Sequence, residues 1–134
     1  MTDFIKRIVE WNDIANVPKD QASQKLYVNL IKEELKEMTD AMDIHDVVET
    51  ADGAVDLVWV LVGYLRACGH DVEGLFNEVD TSNYSKFIYD AKTDTYHCIK
   101  NEAGKIQKPL GFKKPDLKPH ISVDVPVHIK WSEE

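Results

Sequence analysis

The chain has 134 residues, of which 43% are hydrophobic and 30% charged, and its formal net charge at pH 7 is -8. This length is typical of one domain. The hydrophobic fraction is large enough to form a core that needs no stabilising disulfide bond or structural metal ion. The net negative charge disfavours binding to nucleic acids and membrane surfaces, because these anionic partners bind basic protein surfaces. We therefore expect a single domain over residues 1–134 that binds neither nucleic acid nor membrane.

We expect no signal peptide and no membrane span in this chain. Lys6 and Arg7 interrupt the first apolar positions, unlike the apolar region of a signal peptide. The longest apolar run, Leu57 to Leu65, is far shorter than the roughly 20 residues of a membrane span. Cys68 and Cys98 lack C-x-x-C spacing and predict no disulfide. We expect a cytoplasmic protein.

Helical periodicity begins near the start of the chain. Apolar residues at one-turn spacing predict a first helix over residues 4–14. Asp20 is a suitable N-cap for a second helix, from residue 21 to about residue 42, where apolar residues again recur every three or four positions.

Two further helices follow. Residues 43–46 form a connection so short that the helices on either side must be antiparallel neighbours. The third helix is predicted from about residue 47 to residue 67, ending near Gly69. Residues 72 to about 86 predict a fourth helix, or two short pieces broken near residues 80 and 81.

The pattern changes after the fourth helix. Residues 87–89 and 96–99 are β-prone and residues 101–104 are turn-like, so we expect a small hairpin around that turn. From Lys108 onward the chain is rich in proline, which predicts an extended arm with a short strand near residues 123–127.

Together these elements predict an all-α fold. A bundle-like core of four to five helices covers about residues 3–87, and the small C-terminal β-hairpin and extended arm cover about residues 88–134 of the same domain.

Acidic residues form a stripe on each of the second and third helices. The six carboxylates are Glu33, Glu34 and Glu37, then Glu49, Asp52 and Asp56. Acids on a helix are most often a solvated face, but here apolar residues share the arc of both stripes. Unpaired carboxylates beside a core would need large pKa shifts, whereas a hard divalent cation neutralises them directly. Oxygen ligands without His or Cys favour Mg²⁺, or Mn²⁺ as its substitute, over zinc.

A di-iron carboxylate site is disfavoured. Such sites use Glu-x-x-His on two helices, and neither His45 nor His70 lies three residues after a glutamate.

The first stripe resembles the signature of the all-α nucleoside triphosphate pyrophosphohydrolases. This superfamily includes MazG-like, phosphoribosyl-ATP pyrophosphohydrolase-like and dimeric dUTPase proteins, and its E-E-x-x-E element is matched by Glu33, Glu34 and Glu37. The superfamily cleaves nucleoside triphosphates between the α and β phosphates. The resemblance implies the same reaction here, with Glu34 as the candidate base for the attacking water. The sequence leaves open whether Glu34 is a metal ligand like Glu33 and Glu37.

The second stripe matches the superfamily in two registers. Glu49 and Asp52 satisfy its E-x-x-D element, whereas many relatives place the metal-binding aspartate at the head of a run such as D-L-x-Y-V, which corresponds to Asp56. The resemblance ranks Asp56 first, Asp52 second and Glu49 third as ligands.

Two further motifs resemble a phage and bacterial subgroup of the superfamily. Residues 82–86 match S-N-x-S-K, and residues 105–117 match K-I-x-K-P-x-G-F-x-x-P-D-L, so the resemblance extends over about residues 4–117. It implies candidate substrate contacts: Lys86 and Lys105 for phosphate, Asn83 for sugar or base, and Trp11 and Asn12 for the base. Trp11 is equally explained as a core aromatic, and the two lysines as surface residues.

We therefore expect a Mg²⁺-dependent nucleoside triphosphate pyrophosphohydrolase. It is expected to be a homodimer or homotetramer, because relatives pair helices across a two-fold axis. Two alternatives stay open: a non-catalytic helical module that binds nucleotide or a partner protein, and a hydrolase of another pyrophosphate compound such as phosphoribosyl-ATP.

Overall fold

The computed structural model describes residues 2–132, and this part of the chain carries four α-helices followed by a small hairpin. The helices are α1 (Thr2–Ile14), α2 (Gln21–Asp43), α3 (Val47–Ala67) and α4 (Val72–Tyr84). The strands are β1 (Ile88–Asp90) and β2 (Thr95–His97), and a short 3-10 helix spans Lys118–His120. The predicted all-α class with a small hairpin is confirmed. No helix in the described residues has the length and apolar character of a membrane span.

Local capping sets the bounds of the two long helices. The Asp20 side chain accepts the N–H of Ser23 at 2.8 Å, and Asp46 accepts the N–H of Glu49 at 3.0 Å. Each cap satisfies an amide that the first turn of a helix leaves unpaired. Gly69 has a φ of 79° just past the end of α3, a conformation that favours glycine. The predicted bounds of α2 and α3 are therefore confirmed, and α4 is a single helix.

The chain divides into two compact units. The first comprises the residues up to Glu73 and those from His120 onward, and the second comprises residues 74–119. In the first unit α3 packs on both α2 and α1. Two apolar clusters form its core: Ile5, Ile8, Val62 and Val72, and Tyr27, Ile31, Val60 and Ala67.

The segment after the 3-10 helix packs on the helices of the first unit. The N–H of Ser122 donates to Nδ1 of His70 at 3.0 Å, and the Gln24 amide donates to the carbonyl of Pro126 at 3.0 Å. No strand forms near residues 123–127 of the described chain, contrary to the prediction. Local bonding replaces strand pairing there, since the N–H of Val125 donates to Oγ of Ser122 at 3.3 Å.

The hairpin of the second unit turns at a different place from the predicted one. Strands β1 and β2 pair antiparallel, with Tyr89 opposite Tyr96, so the turn lies at residues 91–94. Asp94 takes a φ of 51° in this turn. The predicted turn at residues 101–104 does form, but a single bridge between residues 100 and 106 closes it.

Candidate metal and active site

Glu34 lies at the centre of the acidic group on α2 and α3. Its Oε2 atom is buried and has no hydrogen-bond partner among the described residues. Burial is the main cause that raises the pKa of this carboxyl, and the negative charges of Glu37 and Asp56 raise it further. The charge of Glu33 acts in the same direction. A half-buried carboxylate with one buried oxygen among like charges is suited to accept a cation or a proton.

The structure thus brings together four of the six predicted acids: Glu33, Glu34, Glu37 and Asp56. The three glutamates lie within two turns of α2, and Asp56 reaches them from α3 because the helices pack side by side.

Gly53, which helical periodicity alone does not mark as a packing position, lets the two helices approach at this point. A Cβ atom at Gly53 would lie 2.9 Å from Cβ of Met38, closer than side chains tolerate. Gly53 precedes Asp56 by three residues, and Met38 follows Glu37. The close approach therefore occurs beside the acids that the helices share.

The other two predicted ligands occupy different positions. Glu49 is exposed and lines, with Glu37 and Asp46, a shallow hollow of about 390 Å³. Asp52 is exposed, and its charge is not among those that act on Glu34. The structure therefore groups Asp56 with Glu34, and Glu49 shares its hollow with Glu37.

Trp11 belongs to an aromatic cluster on the first unit. Its side chain is 51% exposed, and its ring meets Trp59 edge to face with centroids 5.5 Å apart. Trp59 in turn meets Phe4 at 5.9 Å. Trp59 follows Asp56 by one helical turn, a signal in the sequence that would have marked it as a neighbour of the acids.

Asn12 is part of the core. It is 0% exposed, its Nδ2 donates to the carbonyl of Ile8 at 3.0 Å, and its Oδ1 accepts the hydroxyl of Tyr27. Both polar atoms of the Asn12 amide are thus hydrogen-bonded within the core. Asn12 therefore has a structural role here and is not on a surface that could contact a base.

The remaining predicted contacts lie in the second unit. Asn83 is exposed near the end of α4, and Lys86 is half-buried in the turn that follows. Lys105 is exposed, and its N–H donates to the Asn101 side chain at 2.9 Å.

Paired helices that share a group of carboxylates define a helical protein with an acidic site. The family model for phosphoribosyl-ATP pyrophosphohydrolase matches residues 4–83, from α1 into α4, and the chain belongs to this family. The family lies within the all-α nucleoside triphosphate pyrophosphohydrolases, which confirms the resemblance at that level, and its members are hydrolases. No curated protein matches the chain.

The donor set of this site suits a hard divalent cation. All four grouped side chains are carboxylates, and the unpartnered Oε2 of Glu34 is an acceptor without a donor. Within residues 2–132, no three His, Cys, Asp or Glu side chains are already arranged around a metal position. Mg²⁺ often uses only one or two carboxylates and completes its shell with water and substrate phosphates. The four carboxylates therefore fit such a cation by the chemistry of their oxygen atoms.

Proposed function

We propose that this chain is a Mg²⁺-dependent pyrophosphohydrolase that converts a nucleoside or deoxynucleoside triphosphate and water to the monophosphate and pyrophosphate. The observation that carries the proposal is the buried, unpartnered oxygen of Glu34 beside Glu37 and Asp56. Membership of a pyrophosphohydrolase family supports the reaction class.

The acidic residues divide into ligands and a base. Glu33, Glu37 and Asp56 would hold the cation, with Asp52 and Glu49 as further candidate ligands. When bound, Mg²⁺ neutralises the charge that develops on the phosphates. Glu34 takes the proton of the attacking water, and its raised pKa makes it a stronger base than an ordinary carboxylate.

The substrate contacts follow from the aromatic cluster and the resemblance. Trp11 and Trp59 present partly exposed ring surface that suits stacking of a base. Lys86 and Lys105 stay predicted contacts for phosphate, and Asn83 for the sugar or base. Phosphoribosyl-ATP is a second substrate candidate, because the matching family carries its name.

We also propose that the chain forms a homodimer or homotetramer. An apolar stripe on α3 is exposed in the single chain, with Val55 at 55%, Val58 at 43% and Leu61 at 42%. A continuous exposed stripe of this kind suits a symmetric interface made from the same helix of two copies.

The test is a comparison of Glu34→Gln with the wild-type chain in an assay of pyrophosphate release. The panel comprises nucleoside and deoxynucleoside triphosphates and phosphoribosyl-ATP, all with Mg²⁺. We expect Glu34→Gln to lower kcat by about 10²-fold or more, because it removes the base. Glu10→Gln, which changes an exposed acid of α1, is the matched control and should keep full turnover. Unchanged turnover in Glu34→Gln would contradict the site assignment.

A thermal-shift measurement separates a protein that binds nucleotide from a module that binds only a partner protein. Mg²⁺ together with a non-hydrolysable triphosphate should raise the Tm of the wild-type chain by mass action. A module that binds only a partner protein would show no response.

A further inference from the structure

A hollow of about 660 Å³ lies wholly within the second unit. Its volume falls within the range of about 300–1,000 Å³ that is typical of small-molecule sites. Two segments far apart in sequence meet there, since the N–H of Lys113 donates to Oγ of Ser85 at 2.8 Å. The same hydroxyl donates to the carbonyl of Ser82 at 2.6 Å. The hollow therefore joins the S-N-x-S-K and K-P-x-G-F motifs at residues whose roles the proposed function leaves open.

The lining of this hollow is apolar and unusually exposed. Phe87 is 38% exposed, Ile99 is 51% exposed, and Leu110 is fully exposed. A single exposed apolar residue is ordinary. Several that line one concave surface indicate a site that a ligand covers.

Phe87 also belongs to a row of exposed aromatic rings. Its centroid lies 5.8 Å from Tyr84 and 6.5 Å from Tyr96, and Tyr96 lies 5.2 Å from Tyr89. Phe87, Tyr84 and Tyr96 line a neighbouring hollow of about 550 Å³. Exposed rings of this kind offer flat surface on which an aromatic heterocycle stacks.

The charge of the second unit favours an anion. Residues 74–119 contain eight lysines and six acids, a net charge of +2, although the whole chain carries -8. Lys113 is an exposed residue among those that line the hollow, so a basic residue stands at this apolar surface. An uncharged apolar peptide would not need that cation, whereas a ring that bears a phosphate uses both features.

We propose that this hollow is a binding site for an aromatic heterocycle that carries a phosphate, with a nucleoside monophosphate as the ligand class. The base packs against Phe87 and Leu110, and the phosphate pairs with Lys113. The site uses none of the acids of α2 and α3, and it does not depend on the proposed function.

The test is an NMR titration of the full chain with adenosine monophosphate in the presence of EDTA, which keeps divalent metal from the acidic residues. We expect saturable shifts at the backbone amides of Ser85, Phe87 and Lys113. Lys113→Gln should weaken binding by about two- to fivefold, the effect of one exposed ion pair. Lys114→Gln removes the same charge from the adjacent exposed residue, which does not line the hollow, and should bind as the wild type does.

Leu110→Ser should not disturb folding, because the Leu110 side chain is fully exposed. It should also weaken binding, and adenosine without phosphate should bind more weakly than the monophosphate. Equal affinity in Lys113→Gln and Lys114→Gln, or shifts confined to α1, α2 and α3, would overturn the proposal. Neither outcome bears on pyrophosphate release with Mg²⁺, so the two proposals fail separately.

Discussion

At the scale of single residues, the position of Glu34 is unfavourable for stability, as expected for a group with the proposed catalytic role. A buried acceptor without a partner costs folding free energy, and like charges nearby add repulsion. Active-site groups often show this conflict between activity and stability. Sequence spacing predicted the acidic group, but the burial of one oxygen depends on the packing of α3 against α2.

The conflict gives a prediction for Glu34→Gln without metal. Removing the charge relieves the repulsion from Glu37 and Asp56, so the Tm in EDTA should equal that of the wild type or exceed it by a few degrees. Differential scanning calorimetry measures this, with Glu10→Gln as the control that should not move. A clear fall in Tm would show that the carboxylate stabilises the fold.

At the scale of the elements, helix bounds were predictable and long-range pairings were not. Asp20 and Gly69 mark helix ends by local chemistry that a sequence displays. The hairpin turn was misplaced because Asn101 and Gly104 form a strong local turn, whereas the strand pairing is set by contacts such as Tyr89 with Tyr96. Local propensity does not record such contacts.

Contacts between distant parts of the chain also limited the prediction of the acidic site and of the C-terminal arm. Helical periodicity places Glu49, Asp52 and Asp56 on one stripe, but only the packing of α3 decides which of them reaches Glu34. The arm is held by the bond from Ser122 to His70, across 52 positions of the sequence. The hydrophobic periodicity of a sequence does not predict such a long-range hydrogen bond.

The contact of α2 with α3 gives a second prediction. A Cβ atom at Gly63 would overlap the ring of Tyr27. Gly63→Ala should therefore lower the free energy of unfolding by about 1–3 kcal/mol, the usual cost of overpacking. Urea unfolding measures it. Gly111→Ala meets open space and should change stability by less than about 0.5 kcal/mol; an equal loss in both variants would contradict the packing argument.

The arm gives a third prediction, on pH. Burial lowers the pKa of His70 below its ordinary 6.5, and its Nδ1 accepts the N–H of Ser122. The unfolded chain therefore takes up a proton below about pH 6.5 that the folded chain resists, so this stability is present above that pH and is lost as the pH falls through it.

The measurement is Tm at about pH 7.5 and about pH 5.5. The wild-type Tm should fall more than that of His70→Asn, which cannot titrate there. His128→Asn changes an exposed histidine and should keep the wild-type slope. A His70→Asn slope identical to that of the wild type would show that His70 does not sense pH.

At the scale of the whole molecule, the charges and apolar surfaces are divided between the two units. The acidic helices carry the proposed catalytic residues, and α3 presents its apolar stripe. The resemblance predicted the family and its reaction class. The hollow of the second unit depends on contacts between distant motifs, which a sequence pattern does not show.

The stripe on α3 gives a prediction for assembly. Val58→Glu places a charge in the proposed interface and should reduce a dimer or tetramer to a smaller species, because an unpaired charge there is costly. Size-exclusion chromatography with light scattering measures the mass. Val123→Glu makes the same change at a residue of the arm that is 94% exposed and should leave the mass unchanged. A monomeric wild-type chain at assay concentration would contradict the interface.

The most direct test of the central claim is the identity of the products. Phosphorus NMR of the wild-type chain with a triphosphate substrate and Mg²⁺ should show one pyrophosphate for each nucleoside monophosphate, and EDTA should stop the reaction. Release of orthophosphate with the diphosphate, or a rate that EDTA does not change, would contradict the account.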